Sequence, residues 1–213
     1  MSRTRILDAN SSYTFSKYFE LNFDASDIFA ELGCTFSRGP LTFPDYTGSI
    51  GFSSDLRRRL ELALKVANIT SEMARREGLI APILFEICGY AEQELKIEYR
   101  VEVSNLLKGT LDYFIPAQQN LLVIEAKNAD LGRGFTQLGA ELIALDQWTK
   151  EETPILHGAV TTGESWRFGQ FHRAERKVVQ DTKLYSIPLE LEKLLSILLG
   201  IIQLSPTAPT ITP

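Results

Sequence analysis

Three residues with chemistry in their side chains sit where a core would be expected. Asp112 lies in the apolar segment "LLKGTLDYFI", and Glu125 and Lys127 lie in "LLVIEAK". The two segments alternate in polarity and are separated by the turn-forming "PAQQN", so they read as the arms of an antiparallel hairpin. A four-residue loop over residues 117–120 places Asp112 opposite Glu125. Directly opposed residues share a face, and Lys127, two residues beyond Glu125, shares it too. Leu111, Tyr113, Ile124 and Ala126 then line the other face, which suits a core. A slip of one residue would undo this arrangement.

Opposed carboxylates repel unless a cation lies between them. Mg²⁺ and Mn²⁺ take hard oxygen ligands, commonly one or two carboxylates with water and substrate phosphate. An ammonium group beside such a cation can orient the attacking water or stabilise charge on the phosphate. The alternative is a salt bridge between Lys127 and either carboxylate on a solvated sheet face.

The rest of the chain must supply the elements that position these groups. After "SSDLRRRLELALKVANIT", an amphipathic helix with a serine cap at Ser54, comes a helical stretch over residues 71–91. Gly78 and Pro82 bend or split that stretch near residue 80. "LKIEYRVEV" alternates over Leu95, Ile97, Tyr99, Val101 and Val103 as a strand with one apolar face. The hairpin follows, then a helix of about four turns in "GFTQLGAELIALDQW", two strands joined at Gly163, and a last helix beginning near Pro188. Upstream, "TFSKYFELNFDASDIFAELG" reads as an extended piece followed by a helix from Asp24 or Ser26, and "SRGPLTFPDYTG" as loop or edge strand. The order predicts an α/β fold, a mixed central sheet flanked by helices.

Here the sequence resembles the PD-(D/E)xK nuclease superfamily, the restriction-endonuclease-like fold. Gly109-x-x-Asp112 followed by Glu125-x-Lys127 carries the likeness, with Gln137 in the next helix and "HGAVTTGESWRFGQF" after it. The stretch "SEMARREGLIAPIL", with Glu72 and Arg75, is similar to the first helix of the N-terminal nuclease domains of type I restriction subunits. The resemblance spans residues 71–170. It implies that Asp112 and Glu125, with the backbone carbonyl of Ala126, bind Mg²⁺ or Mn²⁺, and that Lys127 activates water for attack on a phosphodiester. Glu72 would add a metal ligand, with Glu86 as the competing helix acid, and Gln137 would orient Lys127 or the phosphate. The implied activity is Mg-dependent endonuclease-type hydrolysis of nucleic acid, by family habit DNA. The alternative is a catalytically inactive nuclease-fold binding or scaffold protein. The implied divisions are an N-terminal extension over residues 1–56 packed on the core, a nuclease domain over 57–204 and a flexible tail over 205–213.

Composition bounds these readings. The chain has 213 residues, 44% hydrophobic and 23% charged, enough for one sizeable core. Its net charge of −5 is unlike that of a non-specific nucleic-acid binder, although a locally basic face is compatible with it. Basic groups occur at Arg57, Arg58 and Arg59, at Arg75 and Arg76, and from His172 to Lys177. The first cluster reads as a solvated helix face, and the last lies near the site as a candidate for phosphate contacts. Trp148 and Trp166 suit core or rim packing better than base stacking. Cys34 and Cys88 read as buried free thiols. No apolar leader opens the chain, and residues 194–202 are too short an apolar run for a membrane span, which takes about 20 residues. The expectation is a soluble cytoplasmic protein, with residues 194–204 serving either as core or as the face of a homodimer.

Overall fold

The computed structural model describes residues 5–8, 11–44, 46–117, 130–149 and 153–203, and the backbone of 121–126. It is a mixed α/β fold with helices on both sides of a sheet. Two short helices come first, α1 (Phe15–Glu20) and α2 (Ala25–Glu31), followed by strand β1 (Thr35–Gly39). Helix α1 replaces the expected extended piece: its buried Phe15 and Tyr18, three residues apart, pack on one helical face. Helix α3 (Ser53–Val66) starts with Phe52 at its cap, so Ser54 lies inside the first turn.

The predicted break near residue 80 takes a specific form. Helix α4 (Glu72–Arg75) runs into a π-helical turn, Arg76–Ile80, and then into α5 (Ala81–Ala91), with Pro82 in the first turn of α5. The Ala81 N–H reaches back five residues to the Arg76 carbonyl. A π turn accommodates an extra residue without ending the helix. The Ser71 hydroxyl caps α4 by accepting from the Ala74 N–H at 3.1 Å.

Strands β2 (Lys96–Glu102), β3 (Lys108–Pro116) and β4 (Leu121–Ala126) form an antiparallel series. Helix α6 (Leu131–Trp148) crosses over to β5 (Ile155–Thr161), which is parallel to β4. Asp130 caps α6 by accepting from Gly132 N and Arg133 N at 3.1 and 2.9 Å, so the "GRG" segment forms the helix's first turn. Strands β6 (Ser165–His172), β7 (Lys177–Asp181) and β8 (Tyr185–Ser186) precede the last helix, α7 (Leu191–Ile202). The sheet order is β1-β7-β6-β5-β4-β3-β2, with β8 on β6. Strand β1, from the expected N-terminal extension, pairs in parallel with β7 and so belongs to the sheet.

One core layer lies between the sheet and α3, α5 and α7, and contains Leu60, Ile83, Trp166, Phe168 and Leu198. The other lies under α1, α2 and α6 and contains Tyr18, Phe29, Phe135, Leu142 and Val160. Leu194, Leu195, Leu198 and Ile202 are all buried, which makes the apolar run of α7 core and not a dimer face. Burying a leucine contributes about 1.5–3 kcal/mol, which favours covering this helix within the chain. Trp166 is buried, with its Nε1 donating to the Gly163 carbonyl at 3.1 Å, and Trp148 is exposed at the rim. Cys34 and Cys88 are buried free thiols, and burial pushes the Cys88 thiol up to about 11. No helix among the described residues is long and apolar enough to cross a membrane.

Candidate active site

The register of the central hairpin decides what its charged residues can do together. Tyr113 pairs with Ile124, Phe114 with Val123, Ile115 with Leu122 and Pro116 with Leu121. Among the described residues the β3–β4 pairs end at Tyr113 and Ile124, and the expected pairing of Asp112 with Glu125 is not one of them. Glu125 pairs with Val160 of β5, and Ala126 with Thr161. The side chains of Glu125 and Ala126, and all of Lys127, lie outside the described residues.

Asp112 sits at a local break in the sheet. The β2–β3 ladder pairs Ile97 with Tyr113 and Tyr99 with Leu111 but skips the position between them. The residue opposite Asp112 there is Glu98, whose φ of 51° is left-handed. The expected alternation fails at this point. Leu111 joins the core layer under α6, whereas Tyr113 and Ile115 join the layer under α5, so Leu111 and Tyr113 do not share a face. A kink of this kind re-aims the side chain beside it.

The glycine preceding the aspartate has a physical role. Gly109 has a φ of +148°, and a Cβ there would lie 2.8 Å from the Phe15 ring and 3.0 Å from the Phe15 backbone nitrogen. Only glycine allows α1 to approach β3 this closely.

Asp112 is mostly buried, with 18% of its side chain exposed, and its Oδ1 lies 4.0 Å from Arg76 Nη1. The same Nη1 is 3.7 Å from Glu98 Oε1, and the guanidinium carbon sits 5.2 Å above the Tyr113 ring. Burial alone would pull the Arg76 guanidinium down. A Tyr113 hydrogen bond and the carboxylates of Asp112 and Glu98 outweigh it and raise its pKa, so Arg76 stays charged. Glu72, one helical turn before Arg76, lines the same cavity as Arg76, Glu98 and Tyr113. Its expected companion Arg75 instead donates to the Ile69 carbonyl at 3.0 Å. The competing acid Glu86 bonds Arg59 of α3, which ties it to the helical layer.

On the opposite side of the sheet, α6 carries Gln137, buried with 3% exposure, and Glu141, with 0%. Gln137 Nε2 donates to Glu141 Oε1 at 2.9 Å. Gln137 Oε1 is buried without a hydrogen-bond partner among the described residues. In β6, Arg167 pairs with Val160, the strand partner of Glu125, and its buried Nε also lacks a partner among the described residues.

The other basic groups are used structurally. Arg57 donates to the Pro188 carbonyl and Glu192, and Arg58 lies 3.7 Å from Asp55. Arg173 and Arg176 pair with Asp146 at 2.9 and 3.6 Å, and His172 Nε2 lies 3.1 Å from Gln170 Oε1. His172 pairs with Ile155, at the end of β5 remote from Thr161. Six residues of strand separate those ends, roughly 20 Å, so the expected proximity of the His172 segment to the site is corrected.

Sequence reasoning counted Arg76 only among the basic groups and missed Glu98, Glu141 and Arg167 as parts of this region. Spacing could have found two of them: Arg76 follows Glu72, and Glu141 follows Gln137, each by one helical turn. Among the described residues no group of three or more His, Cys, Asp and Glu is gathered as a metal site. The oxygen donors nevertheless suit a hard divalent cation: a mostly buried carboxylate at Asp112, Glu125 on the adjacent strand β4, and Glu72 on the adjoining cavity. Compared with known proteins, the chain matches no family model and no curated protein.

Proposed function

We propose that the chain is a metal-dependent nuclease of restriction-endonuclease-like fold that hydrolyses nucleic-acid phosphodiesters, DNA in preference to RNA. What supports this reading is the Gly109-x-x-Asp112 and Glu125-x-Lys127 motif on the adjacent strands β3 and β4, with Asp112 mostly buried beside Arg76. Asp112, Glu125 and the Ala126 carbonyl would hold Mg²⁺ or Mn²⁺, and Glu72 would bind it directly or through water. The bound cation supplies a Lewis acid that stabilises the developing oxyanion and makes water more acidic. Lys127 orients the attacking water on the phosphorus. Gln137, held from behind by Glu141, orients Lys127 or the phosphate. Arg76 balances the charge of Asp112 and supplies positive charge to a phosphate on the Asp112 side. The choice of DNA follows the habit of the family that the motif resembles.

The test is cleavage of single- and double-stranded DNA and RNA with Mg²⁺ or Mn²⁺. Asp112→Asn and Lys127→Ala should each abolish cleavage while leaving the circular-dichroism spectrum intact. Absence of both cleavage and calorimetric cation binding would overturn the proposal. Cation or nucleic-acid binding without turnover would favour the inactive scaffold.

A further inference from the structure

Beside Asp112 lies a cavity of about 550 Å³, of whose lining the proposed chemistry uses only Glu72 and Arg76. Its walls include Met73, Phe85 and Ile97, which are 70%, 58% and 47% exposed. A cluster of large apolar side chains left open to water marks a binding surface. Tyr113 and Arg76 lie at the Asp112 end, and Glu77 and Glu98 add carboxylates to the lining.

We propose that this cavity receives one unpaired nucleobase of the substrate strand, adjacent to the phosphodiester that is cut. This rests on the nuclease reading and names its substrate as single-stranded or flapped nucleic acid. The charge pattern argues for a base and against the strand's backbone. Glu72, Glu77 and Glu98 repel phosphates from the cavity, while Arg76 provides positive charge at its Asp112 end. The sugar–phosphate chain therefore passes on the Asp112 side, and only a neutral base enters. Phe85 and the aliphatic walls give it a stacking surface. A base inside a duplex cannot reach such a site without leaving the stack.

The carboxylates also set a preference. An ionised carboxylate only accepts hydrogen bonds. Cytosine presents the N4 amino group as a donor where thymine presents the O4 acceptor. Cytosine should therefore be favoured over thymine, a comparison between bases of similar size.

The experiment measures binding of fluorescein-labelled oligo(dC), oligo(dT) and a duplex of equal length to the full chain, with EDTA present to prevent turnover. Cleavage in Mg²⁺ is followed in parallel. Oligo(dC) should bind about tenfold more tightly than either competitor, and Phe85→Ala should remove about tenfold of that affinity. Phe23→Ala, which alters an exposed aromatic outside this cavity, should change nothing. Equal affinity for all three ligands, or oligo(dC) binding unaffected by Phe85→Ala, would overturn the proposal. So would a Lys/Leu peptide whose binding is lost in Phe85→Ala while oligo(dC) binding is not, which would point to a protein partner. The two readings fail separately. Phe85-dependent binding of oligo(dC) without cleavage retains the base pocket and removes the nuclease. Duplex cleavage insensitive to Phe85→Ala retains the nuclease and removes the pocket.

Discussion

Gln137 donates its side-chain N–H to a Glu141 oxygen at 2.9 Å, one turn along α6, with both side chains withdrawn from water. A carboxylate buried this deeply is tolerated when hydrogen bonds or charge satisfy it. The pair therefore holds the Gln137 amide against the next turn of α6. Glu141→Leu should destabilise the protein by about 1–3 kcal/mol in urea denaturation, because it strands a buried donor. Glu141→Gln keeps an acceptor and should lose less. If the proposed chemistry holds, the cleavage defects of Glu141→Leu and Gln137→Ala should not add in the double variant.

The two helix acids should separate cleanly. Glu72→Gln should reduce Mg²⁺-dependent cleavage, since Glu72 lines the cavity next to Asp112. Glu86→Gln should leave cleavage unchanged, because its carboxylate is engaged by Arg59 in a partly exposed pair. Such pairs are worth about 0–1 kcal/mol, so a small change in melting temperature is all that is expected of it. Equal activity in the two variants would remove Glu72 from the site.

Gly109→Ala tests the approach of α1 to β3. The new methyl must sit at a φ of +148° and meet Phe15 at 2.8 Å. A cost of about 1–3 kcal/mol is expected from backbone strain at this position. Guanidinium denaturation should show it, and Phe15→Ala in the same chain should recover only the steric part.

His157 makes stability depend on pH. It lies buried in β5, and burial first, then the charge of His172, lower its pKa from 6.5 to about 4. Between those values the unfolded chain binds a proton that the folded chain does not, so stability falls as pH drops from 6.5 towards 4. The loss should be on the order of 3 kcal/mol across that window. His157→Gln should flatten the urea midpoint over the same range; an unchanged slope would mean that another group carries it.

The sequence was most legible where local geometry left few choices. The "PAQQN" loop has the length that pairs Phe114 with Val123, so the hairpin register follows from counting. The helix break near Gly78 was readable from Pro82, but its form as a π turn was not, because no residue in Arg76–Ile80 demands one. The kink at Asp112 was hidden for a similar reason. Its cause is a left-handed Glu98, a residue type with no local preference for that conformation, so tertiary packing imposes it. Strand β7 was lost inside a segment read for its charge, although Val178, Gln180 and Asp181 are its buried positions. Arg76 looked like one more basic group beside Arg75. Only the folded sheet shows that it faces Asp112 while its neighbour Arg75 turns to Ile69.

The π turn has a consequence for how this helix could have evolved. Residues after it, such as Ile83, Leu84 and Ile87, are anchored in the core, while Glu72 and Arg76 face the cavity. The wider turn shifts the angular phase between these two sets, so the α4 face can be aimed independently of the α5 face. Deleting one residue from Arg76–Ile80 would restore an ordinary helix and rotate α4 by roughly 100° about its axis. A single-codon length change here would thus be a switch of address for Glu72, with the buried face of α5 left as it is.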